Sequence, residues 1–273
     1  MRPLLVLGRG ALGASLAAAL GISQAAGRAV PEEIAARLES GGAGITFLAL
    51  PDQVLGQRAA ALSAIRPHPD RAFVHLSGGQ GLSVLAPLAA AGHRIGSFHP
   101  LQAFAQARPP EAFLGITVAV DAGDSELLSD LGAVAASLGA SARRVTDEQR
   151  PLYHAAAVLA SGDLVALAAA AGRVLEGIGW PPEAAMGALL PLMRGALLGL
   201  EEVGLPGALT GPIRRQDVTT LRGHLSALAE AGQDRALRIY CELGLEATGL
   251  VRRMGADGDS VHEMEAILLE VQA

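Results

Sequence analysis

The sequence contains no lysine and only one cysteine, and both absences narrow what the chain can do. All 21 basic residues are arginines, so lysine Schiff-base chemistry and a lysine general acid are excluded. The single cysteine, Cys241, excludes an internal disulfide and a cysteine metal cluster, and it favours a reducing, cytoplasmic compartment. A net charge of −6 without a visible basic face argues against a nucleic-acid partner and favours a small-molecule substrate.

The apolar residues, 51% of the 273, suffice to fill the cores of one large or two medium domains. The most apolar stretch, Ala155 to Ala171, is interrupted by Ser161, Gly162 and Asp163. We therefore expect a buried interdomain or dimer-interface helix there and no membrane span.

The first 20 residues carry a dinucleotide-binding pattern. A strand-like run, Leu4 to Leu7, leads directly into a G-x-G-x-x-G motif and then into a helix-forming run. The first glycine allows a tight turn, the second lets the backbone approach a pyrophosphate, and the third lets the helix pack closely on the sheet. The free N–H groups of the helix N-terminus would face the phosphates. The cofactor-binding residues predicted from this motif are Gly8, Arg9, Gly10, Ala11, Leu12 and Gly13. An ordinary glycine-rich turn between a strand and a helix is the alternative.

Strand-like and helix-like runs alternate as far as about residue 146 and become purely helical from Asp147 onward. The alternation is typical of βαβ units in a parallel sheet. We predict an α/β fold with a Rossmann-type dinucleotide-binding domain over residues 1–147, followed by an all-helical substrate and dimerisation domain over residues 148–273. Asp147 to Trp180 is predicted to form one long helix.

Three predicted strands end at small or polar residues: Pro51-Asp52, Ser77-Gly78-Gly79 and His99-Pro100. In an open α/β sheet the ligand crevice lies at the carboxyl ends of the strands. Pro51, Asp52, Ser77 and Gly78 are therefore added to the predicted cofactor site.

The second strand, somewhere in Gly21 to Arg28, should end near a residue that reads the adenosine ribose. Arg28 stands there, with no Asp or Glu at that point. An arginine can accept a 2′-phosphate, so NADP is favoured over NAD as the cofactor. A solvated arginine in a turn is the alternative.

Histidines are the natural candidates for chemistry beside a nicotinamide ring. His99 directly follows a strand and could donate a proton near neutral pH, or it could simply bond its own turn. His154 lies one heptad before Ser161, so both would project from a similar helix face, and a buried structural histidine is the alternative. His75 lies within a strand and is expected to be a satisfied core histidine. The predicted catalytic residues are His99, His154 and Ser77.

The helical half offers a second candidate group after its turn-rich segment, Leu205 to Ile213. Arg215 could clamp a substrate carboxylate, or it could form a surface salt bridge, and Asp217 is also a plausible N-cap. The predicted substrate-binding residues are His99, His154, Ser161, Arg215 and Asp217. No metal site is predicted, because His262-Glu263-Met264-Glu265 lacks the second histidine of a zinc helix.

Four segments together resemble a family of Rossmann-like NADP oxidoreductases that carry a helical C-terminal half of unknown function. The segments are His75 to Gly78, Ser97 to Gln102, Leu152 to Ala157, and Leu209 to Ile213 with Arg215 and Asp217. The resemblance covers nearly the whole chain. It extends to pyrroline-5-carboxylate reductase, deazaflavin-dependent NADP oxidoreductases, ketopantoate reductase and the 6-phosphogluconate dehydrogenase superfamily. It implies a nucleotide-binding domain, a 6-phosphogluconate dehydrogenase-like helical domain and a homodimer formed through the helical domain.

The chain departs from this family at two places. Gly162-Asp163 follows Ser161 where the group usually has an asparagine, and Gln216 stands where it usually has glycine before the aspartate. The resulting hypothesis is an NAD(P)-dependent oxidoreductase that transfers hydride between NADP(H) and a small carboxylate-bearing carbonyl or imine compound. A non-catalytic nucleotide-binding regulatory or scaffold protein is the alternative.

Overall fold

A computed structural model describes residues 3–22, 24–25, 36, 44–256 and 258–270 of the chain. Its backbone contacts divide it into two units, Met1–Ser161 and Gly162–Ala273. The first unit is an α/β unit and the second is all helical, which confirms the predicted fold class. The division falls after Ser161, whereas the sequence analysis placed it after Asp147, and the roles assigned to the two parts remain predictions.

The first unit contains a sheet of seven strands in the order β2-β1-β3-β4-β5-β6-β7. All neighbouring strands are parallel except β5 and β6. The chain leaves β1 for β2 on one side and later returns to β3 on the other. This reversal is a topological switch point, where a ligand crevice opens at the carboxyl ends of the strands. The strands are β1 (Leu4–Leu7), β2 (Gln24–Ala25), β3 (Ile45–Leu48), β4 (Ala72–His75), β5 (Arg94–Pro100), β6 (Thr117–Ala122) and β7 (Ser141–Arg144).

Helices cover both faces of this sheet, and each face has its own apolar core. Because side chains alternate along a strand, Phe47 of β3 lies in one core and its neighbour Leu48 lies in the other. Burial of each such side chain stabilises the fold by about 1.5–3 kcal/mol. The helices of this unit are α1 (Ala11–Leu20), α2 (Asp52–Leu62), α3 (Ala86–Ala90), α4 (Ser125–Ser137) and α5 (Arg150–Ala160), with 3₁₀ turns at Leu82–Leu85 and Pro110–Phe113.

The face that carries Leu48 becomes polar towards one edge. His75 of β4 is paired in register with Ser97 of β5, and Ser97 is paired with Asp121 of β6. Paired residues share a face, and so does His99, two residues beyond Ser97. The sheet thus gathers polar side chains from three strands on one side.

The second unit is built from six helices over the residues that the structure describes. Its core includes Leu221, Cys241 and Met264, all fully buried. Two apolar stretches of the described chain are long and apolar enough to cross a membrane by length and composition: Pro182–Val203, and Arg150–Gly177, which begins in the first unit and is interrupted at Ser161. The helices are α6 (Gly162–Gly177), α7 (Pro182–Val203), α8 (Gly211–Arg214), α9 (Val218–Glu230), α10 (Asp234–Arg253) and α11 (Asp259–Glu270).

The prediction of one helix from Asp147 to Trp180 is wrong. Helix α5 ends at Ala160, and Ser161 leaves helical geometry, with φ −128° and ψ −75°. The Ser161 hydroxyl donates to the carbonyl of Ala157 at 2.6 Å. Serine followed by glycine offers the backbone such alternatives to a continuous helix, and alanine-rich periodicity alone does not reveal them.

Candidate functional site

The glycine-rich turn packs directly on the end of β3. Gly8 has a φ of +128°, and a Cβ there would collide with the carbonyl oxygen of Ala49. A Cβ on Gly13 would lie 2.8 Å from the Cβ of Ala49. Gly10 differs, because no atom lies within 4 Å of the position that its Cβ would occupy. Helix α1 begins just after Gly10 without a side-chain cap, so the turn offers open backbone where a phosphate group could approach.

The other predicted cofactor-binding residues of this turn differ in their exposure to solvent. Arg9 is exposed, whereas Ala11 and Leu12 are half-buried in the first turn of α1. Arg28, on which the preference for NADP depends, lies outside the described residues.

A hydrogen bond joins the carboxyl ends of β3 and β4. Ser77, just after β4, donates its hydroxyl hydrogen to Oδ2 of Asp52 at 2.8 Å. Asp52 lies in the first turn of α2, whose N-cap is Pro51. The Ser77 oxygen also accepts the backbone N–H of Gln80 at 3.0 Å. Ser77 is therefore occupied within the protein and shapes its loop.

Arg150 of α5 anchors the same loop through hydrogen bonds to its backbone. Its side chain is wholly buried, and it donates to the carbonyl oxygens of Ser77 at 3.0 Å and Gly78 at 3.5 Å and to the hydroxyl of Ser97. Its Nε has no hydrogen-bond partner, and Arg150 makes no ion pair with any described carboxylate. Burial lowers the pKa of this guanidinium, although it stays cationic at neutral pH. A buried cation thus lies next to the carboxyl ends of β4 and β5.

Asp147 holds the far end of this loop. One carboxylate oxygen accepts the backbone N–H of Leu82 at 2.7 Å, and the other accepts that of Ser83 at 3.3 Å. The segment from Ser77 to Ser83 is therefore anchored at its start by Arg150 and at its end by Asp147. Asp147 lies in the connection between β7 and α5, and Arg150 is the first residue of α5.

His99 and His154 meet at Gly78. A Cβ on Gly78 would lie 2.7 Å from Nε2 of His99 and 2.7 Å from Nδ1 of His154. The two rings are 6.2 Å apart between centroids in an edge-to-face arrangement. Nδ1 of His99 is hydrogen-bonded to the hydroxyl of Tyr153 at 2.7 Å. The structure thus brings Ser77, Gly78 and His99 from the strand ends together with His154 from helix α5.

Burial decides the protonation states of this cluster. It lowers the pKa of His99 to about 4, with further contributions from His154 and Arg150. His99 is therefore neutral at pH 7, so any proton that it donates would come from the N–H group of a neutral ring. Burial raises the pKa of Tyr153 to about 12, so its hydroxyl keeps its proton.

His75 is a core histidine, as expected, but its polar atoms are not satisfied. The side chain is fully buried, and neither ring nitrogen has a hydrogen-bond partner of good geometry, although the backbone of Gly81 is close enough to act on its pKa. Burial, followed by the charge of Arg150, lowers the His75 pKa to about 3. This histidine is neutral throughout the physiological range.

The remaining predicted residues are occupied locally or exposed. The Ser161 hydroxyl is bonded within its own helix end. Asp217 caps α9, because its carboxylate accepts from the backbone N–H and the hydroxyl of Thr220 at 3.0 and 2.6 Å. Arg215 is exposed in the second unit. Within the described ranges, no group of three or more potential ligands could hold a metal ion.

Sequence reasoning missed three residues of the cluster: Asp147, Arg150 and Tyr153. A signal for two of them was present. Arg150, Tyr153 and His154 are spaced by three and four residues, which places them on one face of a helix. That face could have been identified once His154 was chosen, whereas nothing local indicates that Arg150 would be buried.

Comparison with known proteins supports this organisation. Residues 116–247 match a family model described as a domain of unknown function, DUF2520. No curated protein matches the sequence. A proposed NADP oxidoreductase from Bacteroides fragilis is 24% identical with a TM-score of 0.65, over 90% of this chain and 97% of that one. A protein from Thermotoga maritima is 21% identical with a TM-score of 0.72, over 93% and 100%.

A pyrroline carboxylate reductase from Plasmodium falciparum, solved with NADP bound, is 11% identical with a TM-score of 0.57 over 89% of this chain and 96% of that one. At these identities the likeness establishes the fold. Residues 116–247 thus match the DUF2520 model, and the chain has the fold of the Rossmann-type reductases with a helical C-terminal region.

Proposed function

We propose that this protein is an NADP(H)-dependent oxidoreductase that transfers hydride to or from a small carboxylate-bearing carbonyl or imine compound. The observation that carries the proposal is a continuous row along the carboxyl edge of the sheet. The row runs from the Gly8 turn through Asp52 and Ser77 to His99, with each strand end in contact with the next. Two similar structures, a proposed NADP oxidoreductase and a reductase with NADP bound, support the choice of cofactor.

The open backbone at Gly10 and the uncapped start of α1 fit a pyrophosphate. The turn from Gly8 to Gly13 would hold that group, and Asp52, Ser77 and Gly78 would line the path towards the nicotinamide. When bound, the nicotinamide would supply or accept the hydride. The protein's own contribution is to orient the reactants and to move one proton.

A buried cation without an ion pair favours an anionic ligand at the nearby strand ends. No described carboxylate forms an ion pair with Arg150, although Asp147 and Asp121 are near enough to act on its pKa, so a substrate carboxylate or a developing oxyanion would be stabilised there. Arg215, exposed in the second unit, is proposed as a residue that binds a substrate carboxylate.

We also propose a homodimer formed through the helical unit, in the cytoplasm. Helix α7 has 22 residues, of which only Ala185 is buried within the chain. Its exposed apolar residues are Leu190, Leu192, Leu197, Leu198, Leu200 and Val203. An uncovered face of this size is typical of an interface with another protein surface. Sedimentation should give a dimer that Leu192→Glu weakens, and a monomeric wild type, or one that partitions into vesicles, would contradict this.

Titration with NADPH and NADH tests the cofactor, with binding followed by quenching of Trp180 or by nicotinamide fluorescence. Micromolar NADPH binding well ahead of NADH is the expected result, and a screen of oxo acids and cyclic imines would then identify the substrate. Binding without turnover across that screen would indicate a non-catalytic nucleotide-binding protein. Absence of binding by either nucleotide would overturn the oxidoreductase proposal.

A further inference from the structure

The hydrogen bond between His99 and Tyr153 assigns a proton source to the proposed reaction. We propose that Tyr153 holds His99 with its hydrogen on Nε2 and supplies, through Nδ1, the proton that His99 gives to the substrate. The second half of this inference rests on the proposed function, whereas the first half concerns only the resting protein. Tyr153 acts through His99 and is therefore a positioning residue.

We assign the direction of this hydrogen bond from the donor and acceptor groups that the two side chains offer. The Tyr153 oxygen lies 2.7 Å from Nδ1 of His99, and the two rings are edge to face. The half-buried phenol of Tyr153 keeps its proton at neutral pH, and its O–H group is a more acidic donor than the N–H of a neutral imidazole, which offers one acceptor nitrogen. Tyr153 therefore donates to Nδ1, and the hydrogen of His99 lies on Nε2.

Nε2 is the nitrogen that faces the end of β4. It lies beside Gly78, at the position where a side chain on that residue would collide with it. Nδ1 of His154 lies beside the same position on Gly78, and this buried atom has no hydrogen-bond partner. An N–H group and an unpartnered ring nitrogen thus converge on the strand end where the proposed substrate would bind.

The surroundings oppose an imidazolium at this position. The titratable and charged groups around His99 are Arg150, Tyr153 and His154 of α5, Asp147 before it, His75 of β4 and Asp121 of β6. Arg150 is the cation among them and disfavours a second positive charge at His99. A neutral relay, in which His99 loses one proton and gains another, avoids that charge.

In the direction of reduction, every proton and electron pair of the proposed relay has a donor and an acceptor. A bound nicotinamide would supply the hydride that forms the new bond at the substrate carbon, and the π electrons of C=O or C=N would move to the oxygen or nitrogen. That atom takes the proton from Nε2 of His99 while Nδ1 takes the proton of Tyr153. Burial raises the pKa of Tyr153, and the nearby Arg150 cation offsets part of that rise and so stabilises the phenolate left behind. The resting state is restored when solvent protonates Nε2 of His99 and Nδ1 returns its proton to the Tyr153 oxygen.

Nitrogen-15 NMR of histidine-labelled protein tests the resting state without any substrate. The wild type should show His99 with its hydrogen on Nε2 and a bare Nδ1 at pH 7. Tyr153→Phe should mix the two tautomers. Tyr240→Phe is the matched control, because the Tyr240 hydroxyl bonds Nδ1 of His224 at 2.8 Å and should affect that histidine alone. Hydrogen on Nδ1 of His99 in the wild type, or an unchanged tautomer in Tyr153→Phe, would overturn the proposal.

Kinetics test the proton supply. Tyr153→Phe should lower kcat by roughly 10²–10⁴-fold, the usual worth of general acid–base catalysis, with unchanged affinity for NADPH. The wild type should show a solvent isotope effect from two protons in flight, and Tyr153→Phe should lose one of them. An unchanged kcat in Tyr153→Phe would refute the relay. A wild type that turns over no substrate would instead contradict the proposed function. The tautomer measurement would still decide whether Tyr153 positions His99.

Discussion

At the scale of single residues, backbone geometry explains one departure from the resembled family. Gln216 has a φ of +56°, the left-handed conformation that glycine adopts without strain. Glycine is the residue that the family usually has at this position, directly before Asp217. The cap formed by Asp217 is nevertheless intact, with both of its bonds to Thr220. Glutamine at position 216 therefore strains the backbone, and the N-cap of helix α9 is still formed.

Gln216→Gly should stabilise the protein by about 0.5–1 kcal/mol. A left-handed conformation costs a residue with a Cβ about 1–2 kcal/mol, and the greater freedom of glycine in the unfolded chain takes back part of that gain. Urea unfolding measures the difference. Gln233→Gly is the control, because Gln233 has an ordinary φ of −88° and should lose stability on the same change.

Gly10→Ala should leave folding unchanged and weaken NADPH binding by about tenfold or more. The added methyl meets no atom of the protein, and φ −68° suits alanine, so a stability change within about 0.5 kcal/mol is expected. The same methyl would occupy the space through which a phosphate approaches. Gly8→Ala should lose both stability and binding, and full NADPH affinity in Gly10→Ala would show that the cofactor lies elsewhere.

At the scale of elements, helix α5 packs on the sheet of the first unit and adds polar side chains to those at the carboxyl ends of its strands. Its first turn supplies Arg150, and its next turn supplies Tyr153 and His154, so one helix face covers the ends of β4 and β5. The helix also shields His75 and His99 from water and gives them their depressed pKa values. The chemistry proposed for this edge depends on the helix as much as on the strands.

Arg150→Met should destabilise the first unit by about 1–3 kcal/mol and raise the pKa of His99. The substitution leaves the buried carbonyl of Ser77 and hydroxyl of Ser97 without their donor, and it removes the charge that opposes protonation of His99. Chemical denaturation and histidine NMR measure the two effects. Arg173→Met is the matched control because Arg173 is exposed, and an equal loss in both variants would refute the anchoring role.

At the scale of the whole molecule, acid should weaken the fold well above the range in which carboxylates titrate. His75 and His99 have pKa values of about 3 and 4 in the folded protein, against 6.5 when exposed. Below pH 6.5 the unfolded chain binds protons that the folded chain excludes, so stability is complete above pH 6.5 and falls as the pH approaches the folded values.

By pH 5 the loss should reach about 2 kcal/mol for each of these two histidines. Urea unfolding at pH 7.5, 6 and 5 measures the decline. His99→Gln should make it shallower because one of the two groups is removed. A stability that does not change between pH 7.5 and 5 would show that these histidines are solvated.

The fold was largely predictable from local pattern, and the site was predictable in part. Alternating apolar runs indicated the parallel sheet, and the change of period at Asp147 indicated the helical region. Ser77, which follows β4, and His99, which was predicted to follow a strand and lies near the end of β5, could be expected together because parallel strands end at one edge. The break at Ser161 was missed because helix propensity outweighed a single serine and glycine.

The sequence by itself determined the glycine-rich turn, the order of strands and helices, and the meeting of Ser77, Gly78 and His99. Each of these depends on residue spacing and on the direction of the chain. Only the tertiary structure decided that Arg150 is buried without a carboxylate, that Tyr153 bonds His99, and that His99 is neutral at pH 7. Burial and charge proximity are properties of surfaces brought together in space, and a pKa follows from them and not from the residue type alone.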